Sequence, residues 1–499
     1  MSYVLGIDLG TSSLKGSLFN ESGILIDSIS STYPIINPEK GYSEQNPMDW
    51  INALEDILQK FEQRVLDFNK ELSGISFSGQ MHSLVLLDKN NEIIRNSILW
   101  NDVRTTQQCN EIMNIFGDRL LEITQNIALE GFTLPKILWV QKHEPELWEK
   151  VDKILLPKDF LGLYMTGKFY TDFTDAAGTL LLDLKSKEWS NEICEQFHIP
   201  KEFLPPIYES TDCIGEVRSE LLEKFNLYNK VQVFAGAADN ACGAIGAGIY
   251  TRDKSMVSIG TSGVFLSFEE NTNKNYEGKL HYFNHVIKDK YYSMGVTLSA
   301  GNSLNWFKRT FAPETSFEEL LKNISKIEPG SDGLFFTPYI SGERTPYIDS
   351  EIRGAFEGID ENHDLDHFVR AILEGITYSL KETQEIYEDL SKEHPKTIVS
   401  IGGGAKSKEW LQIQADIFNT PILTLDIDQG PSLGAAMIAS VGLDWYSDFE
   451  SCSKDFVKYS NETFPIVENV SLYEQAYRKY KSMYSATKMI MDGKYEEKI

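Results

Sequence analysis

The chain has 499 residues, more than one hydrophobic core usually serves, so at least two domains are expected. Its 74 Asp and Glu outnumber 47 Lys and Arg, leaving a formal charge of −27. Such a chain repels polyphosphate, which argues against nucleic acid or an anionic membrane as a primary partner; a small anionic ligand held by backbone amides is still compatible.

The N-terminal run from Met1 to Ser13 has no basic segment and only a short apolar stretch broken by Asp8, so no signal peptide is expected. No segment approaches the roughly 18 apolar residues of a membrane span, and the expected location is cytoplasmic. Five scattered cysteines without paired spacing read as reduced structural thiols. The sequons at Asn323, Asn461 and Asn469 read as chance matches, since no export is expected.

Leu5 to Phe19 reads as strand, tight Gly10-Thr11-Ser12 turn, strand; Asn20 to Gly23 turns the chain into a third stretch, Ile24 to Ser28. Trp50 to Leu66 has apolar residues at helical spacing, and Gly74 to Ser78 follows as a strand. Midway, Met256 to Phe268 repeats the opening plan around Gly260-Thr261-Ser262. Leu365 to Ile386 is a long helical pattern, followed by the strand Thr397 to Ile401, the turn Gly402-Gly403-Gly404-Ala405 and the helix Lys408 to Phe418. The repeat divides the chain into domains of residues 1–245 and 246–499. Alternating strands and helices give an α/β class, with a ligand cleft between the two domains.

Glycine turns at strand ends are the chemical signal. They present consecutive amides, and in two of them hydroxyls, to phosphate oxygens. Any one could be an ordinary hairpin; three, two of them repeats, point to a nucleotide. No GxxxxGK[ST] and no strand-following GxGxxG is present, which excludes a P-loop. His363 and His367 share a helix face, but with no third ligand they read as part of an acidic helix N-terminus. Asp8 ends the first strand beside the Gly10 turn, as a turn residue or as a carboxylate facing the ligand. Asp239 follows the small-residue run Phe234 to Ala238. It reads either as a helix N-cap or as a base for a substrate hydroxyl.

In order along the chain, Gly6 to Ser12, Tyr42 to Gln45, Ser78 to His82, Leu99 to Arg104, Phe132 to Lys136, Leu155 to Asp159 and Thr174 to Thr179 resemble the FGGY family of carbohydrate kinases. So do Ala238 to Asn240, Gly260 to Val264, Tyr339 to Pro346, Gly402 to Ala405 and Gly430 to Gly434. The resemblance implies two actin-like (ribonuclease H-like) ATPase domains around a cleft, and ATP- and Mg²⁺-dependent phosphorylation of a sugar. It implies Asp239 as catalytic base and Asp8 beside the metal and phosphates. Gln80, Met81, His82, Asn240 and Asp102 would line the sugar. Gly10, Thr11, Ser12, Gly260 and Thr261 would hold phosphates, with Gly301, Asn305, Gly403, Gly404, Ala405 and Lys408 around the adenosine. Sugar and ATP are the expected partners, and a homodimer is a family-level expectation.

The expected sugar is a ketopentose, D-xylulose first, with ribulose or gluconate as alternatives because gluconate kinases of the family share Met81-His82-Ser83. Val103, Ala237, Ala238, Gln429 and Ser432 also depart from the usual pattern, and none of them replaces Asp8, Asp239 or a residue of the phosphate turns. The rival from another class is a non-catalytic nucleotide-gated switch on the same fold.

Overall fold

The computed structural model describes residues 2–272 and 274–493. Tyr3–Leu9 (β1), Ser13–Asn20 (β2) and Leu25–Thr32 (β3) form an antiparallel meander at one side of a six-stranded sheet. The helix Pro47–Arg64 (α1) leads into Leu72–Gly79 (β4), which runs parallel to β1. Cys213–Glu216 (β5) and Gln232–Ala238 (β6) complete the order β5-β6-β4-β1-β2-β3. Asp239–Gly246 (α2) then leaves the sheet.

The plan recurs. Lys254–Ile259 (β7), Gly263–Glu269 (β8), His281–Asn284 (β9) and Tyr291–Thr297 (β10) make the antiparallel side of a seven-stranded sheet. Helices Gly301–Phe311 (α3) and Leu365–Ser391 (α4) follow, then Thr397–Gly402 (β11), parallel to β7. Lys408–Phe418 (α5), Ile422–Leu425 (β12), Pro431–Gly442 (α6) and Tyr459–Thr463 (β13) close the order β9-β10-β8-β7-β11-β12-β13. One apolar cluster lies between α1 and the first sheet, and another joins α3, α4 and α5 to the second.

The helix α1 starts earlier than the apolar spacing alone suggests, because Asn46 caps it from the Met48 amide and Pro47 supplies the first helical φ. It ends at Arg64, leaving Leu66 exposed. The helix α4 runs five residues past Ile386, until Lys392 in the left-handed conformation stops it. All five cysteines are unpaired, and four are buried. Among the described residues no helix is long and apolar enough to cross a membrane.

The halves interlock through α6. Although it comes late in the chain, it packs on β1 and β4 and crosses α2. Glycine makes the crossing possible: a Cβ on Gly434 would stand 2.0 Å from the Cys242 carbonyl, and one on Gly6 2.0 Å from that of Ser432.

Candidate active site

Strand register builds the site. Asp8 pairs across β1 and β2 with Lys15, and across β1 and β4 with Ser78. Ser78 in turn pairs with Ala237 of β6, so Asp239 emerges two residues farther on, at the edge where β1 turns at Gly10. The register of β6 slips before Ala237 at Gly236, whose φ of +75° and approach to the Phe77 carbonyl (2.1 Å from a Cβ) allow no side chain. The carboxyl ends of three parallel strands thus meet at one edge, the usual ligand edge of an open α/β sheet.

Asp8 and Asp239 are both partly exposed there. Burial of the carboxyl raises Asp8 to about 6, with the Ser78 hydroxyl and the Lys15 ammonium opposing. Asp239 rises to about 7 through burial and then through the charge of Asp8, with the Asn240 amide opposing. Asp239 is not an N-cap. Ala238 holds that position, and the Asp239 carboxylate accepts from its neighbour's backbone N (2.7 Å) and side-chain Nδ2 (3.0 Å). Asp8 Oδ1 is buried without a hydrogen-bond partner. An unpartnered hard oxygen beside a second carboxylate is the donor set that suits Mg²⁺.

Lys15, to which the sequence reading gave no role, donates to the Gln429 carbonyl at 3.0 Å and feels both Asp8 and Asp428. The hairpin register predicts its place, since a turn closing on Leu9 and Leu14 sets Lys15 opposite Asp8.

The first turn is braced from below. Gln45 donates to the Thr11 carbonyl (2.5 Å), Tyr33 to the Gly10 carbonyl (2.5 Å), and the Trp100 indole to the Thr11 hydroxyl (2.9 Å). Gln80 belongs to this bracing: its amide donates to Gln45 Oε1 (3.1 Å) and its own Oε1 accepts from Ser83 (3.3 Å). Met81 lies against the residue that follows Asp239, its sulfur 3.6 Å from Asn240 Nδ2 and 3.9 Å from the Tyr292 hydroxyl. His82 sits at φ +69° with Nδ1 2.6 Å from the Gly178 carbonyl. A carbonyl only accepts, so the proton is on Nδ1 and Nε2 keeps its lone pair. Burial, with Lys136 and Arg344 nearby, lowers this imidazole to about 3 and keeps it neutral.

Asp102 departs from the expectation of a sugar ligand. Its buried carboxylate is closed around Arg104, at 2.7 to 3.0 Å, and accepts from the Ser43 amide at 2.6 Å. Arg104, flat over Tyr42 at 3.8 Å, is too buried to forgo that partner.

Among the described residues one group of acidic side chains, Asp159, Asp172 and Asp175, has metal-ligand spacing. The ammonium of Lys158 fills it, at 2.5, 2.8 and 3.3 Å. Asp172 accepts from the Thr174 hydroxyl, which accepts in turn from the Ala238 amide. This buried cluster therefore holds the residue before Asp239.

Where the adenosine is expected there is a cavity of about 930 Å³. Gly260, Gly301, Asn305, Gly403, Gly404 and Lys408 line it; Thr261 and Ala405 do not. The sequence reading missed its apolar wall, Leu304, Phe317, Leu321 and Trp410. Trp410 and Leu304 sit at apolar positions of their own helices, where spacing alone does not separate a cavity wall from core. The second turn docks on α3, its Gly260 carbonyl accepting from the Gly301 amide at 2.8 Å. A Cβ on Gly301 would lie 2.4 Å from that carbonyl. Gly301→Val is therefore expected to raise the KM for ATP more than about tenfold, with the KM for sugar little changed. Initial rates at varied ATP and sugar check this; equal rises in both KM values would count against it.

Models of the FGGY carbohydrate kinase N-terminal and C-terminal domains match residues 3–246 and 255–443. A xylulose kinase of Lactococcus lactis is 53% identical over 98% of both chains, and one of Bacillus subtilis is 51% identical over 98% of both. Among solved structures, a xyloylose kinase from Brucella ovis superposes with a TM-score of 0.91 at 32% identity, covering 98% of this chain and 100% of that one. A ligand-bound xylulose kinase from Lactobacillus acidophilus gives 0.92 at 28% identity, covering 97% and 98%. With both domain models matched in order across two sheets that share one strand plan, the chain belongs to the FGGY family of carbohydrate kinases.

Proposed function

We propose that this sugar kinase transfers the γ-phosphoryl group of MgATP to the terminal hydroxyl of D-xylulose, giving D-xylulose 5-phosphate and ADP. The observation that carries the reading is Asp239 beside Asp8 at the converging strand ends, in a chain about half identical to xylulose kinases. Asp239, titrating near 7, takes the proton from the sugar hydroxyl as its oxygen attacks the γ-phosphorus and the bond to the ADP oxygen breaks. Asp8 would hold Mg²⁺, which supplies charge neutralisation across the phosphates when bound. Lys15 and the Gly10 and Gly260 turns hold phosphate oxygens, and the adenosine lies among Gly301, Asn305, Gly404 and Trp410. In this reading residues 1–245 carry the sugar and the base, and residues 246–499 carry most of the nucleotide site. Phosphoryl transfer asks mainly for position and charge, which this set supplies.

Ser83, the residue shared with gluconate kinases, already has partners within the protein: its hydroxyl accepts from the Trp100 amide and donates to Gln80. A binding-only switch would need no carboxylate tuned to about 7 beside Met81 and His82. The test is sugar-dependent ADP release with MgATP over D-xylulose, L-xylulose, D-ribulose, L-ribulose, glycerol and gluconate. D-xylulose is expected to lead in kcat/KM by about tenfold or more. Gluconate or ribulose in the lead would overturn the sugar assignment, and no turnover of any member would overturn the kinase reading.

A further inference from the structure

The motif Tyr339 to Pro346 comes from the second half of the chain, and nothing above gives it a role. Its loop is anchored firmly. The Glu343 carboxylate accepts from the Leu298 and Arg344 amides and from the Thr297 and Ser379 hydroxyls. Thr345 exchanges two bonds of 3.0 Å with Val296 of β10. From this platform Arg344 crosses to the first half, where a Cβ on Gly131 would stand 3.4 Å from its Nη2.

The guanidinium has no hydrogen-bond or ion-pair partner among the described residues. Glu130 attracts it from beyond salt-bridge distance and accepts instead from Thr106. Lys136 is spent on the carbonyls of Glu130, Gly131 and Phe132. The half-buried fork keeps five donors that no protein acceptor uses, so paired ligand oxygens can take them. Its charge is felt at His82 and His281. His82 adjoins Met81, which touches Asn240 beside the base.

We propose that Arg344 binds the keto end of the open-chain sugar, its fork on the C2 carbonyl and C1 hydroxyl oxygens, while the far hydroxyl meets Asp239. His82 Nε2 accepts from a sugar hydroxyl next to it. A planar fork matches two oxygens on adjacent carbons, one of them a carbonyl, better than it matches the tetrahedral centres of a polyol. The proposal rests on the ketopentose reading above. It adds a specificity residue delivered by the nucleotide-binding half, so that sugar occupancy ties the two halves together.

The test compares wild type with Arg344→Met and Arg344→Lys, using D-xylulose as substrate and xylitol, which lacks the carbonyl, as competitive inhibitor. In Arg344→Met the KM for D-xylulose is expected to rise about 10- to 100-fold, while the Ki of xylitol and the KM for ATP move less than about threefold. Arg344→Lys should recover only part of the loss, because a point charge lacks the fork. Equal weakening of D-xylulose and xylitol, an unchanged KM, full recovery by lysine, or a parallel rise in the KM for ATP would each overturn the assignment. If wild type turns over another sugar of the panel instead, the function reading falls by itself, and Arg344 is judged by the same KM criterion on that sugar.

Discussion

Asp239→Asn is expected to lower kcat about 10³-fold while MgATP still binds, and at the same time to make the protein more stable at pH 8. The two effects share one cause. An aspartate in the unfolded chain titrates near 3.9, whereas Asp239 in the folded protein titrates near 7 because burial and the Asp8 charge disfavour its ionised form. A raised pKa means the folded state binds the proton more tightly. That contribution is complete below about pH 4 and is lost as pH rises through about 7. Above neutrality the ionised carboxylate strains the fold, and asparagine removes the strain. Three units set an upper limit of about 4 kcal/mol, and partial exposure of the side chain cuts this to about 2 kcal/mol. Denaturant midpoints should differ most at pH 8 and converge toward about pH 4. For the wild type, kcat/KM for sugar should rise with pH up to about 7 and then level off. Near-normal turnover in Asp239→Asn would remove the residue as base, and a midpoint difference independent of pH would remove the electrostatic account.

Asp8→Asn should cost about 10²- to 10³-fold in kcat and move the half-saturating Mg²⁺ concentration upward, with little change in the KM for sugar. Asp8 Oδ1 has no protein partner, so the acceptor strength lost on amidation is replaced by nothing else in the site. Amidation also removes the charge that lifts Asp239, so the pH at which activity levels off should fall below that of wild type. A rate with unaltered Mg²⁺ dependence would show that the carboxylate acts elsewhere. A loss in rate with no change in the pH profile would show that the two aspartates are electrically independent.

Much of the fold was legible because its signals are local. Hairpins closed by Gly-Thr-Ser, the spacing of Ile51, Leu54, Ile57, Leu58 and Phe61, and the repeat of the opening plan at Met256 each need only neighbouring residues. The two aspartates at the converging strand ends were visible too, since both stand beside glycine-rich turns or small-residue runs. What escaped depends on side-chain pairings that the spacing of residue types does not reveal. Asp102 looked like a sugar ligand until Arg104 and Ser43 closed on it. Gln80 looked free until Gln45 and Ser83 took both ends of its amide. The apolar wall of the cavity beside Gly301 uses Leu304 and Trp410, whose helical spacing is indistinguishable from ordinary core. Lys158 shows the same limit from the other side: three aspartates at metal spacing enclose an ammonium supplied by their own chain.

The crossing of α6 over β1 also bears on synthesis. On the ribosome β1 is made first, yet the helix that covers it spans Pro431–Gly442. The first sheet therefore waits, one face uncovered, until Pro431–Gly442 has been translated, and only then can Gly6 and Gly434 meet their carbonyls. A chain that emerges domain by domain does not finish its first domain first. The nascent protein carries exposed apolar surface for most of its elongation, the condition under which chaperones bind and truncated products aggregate.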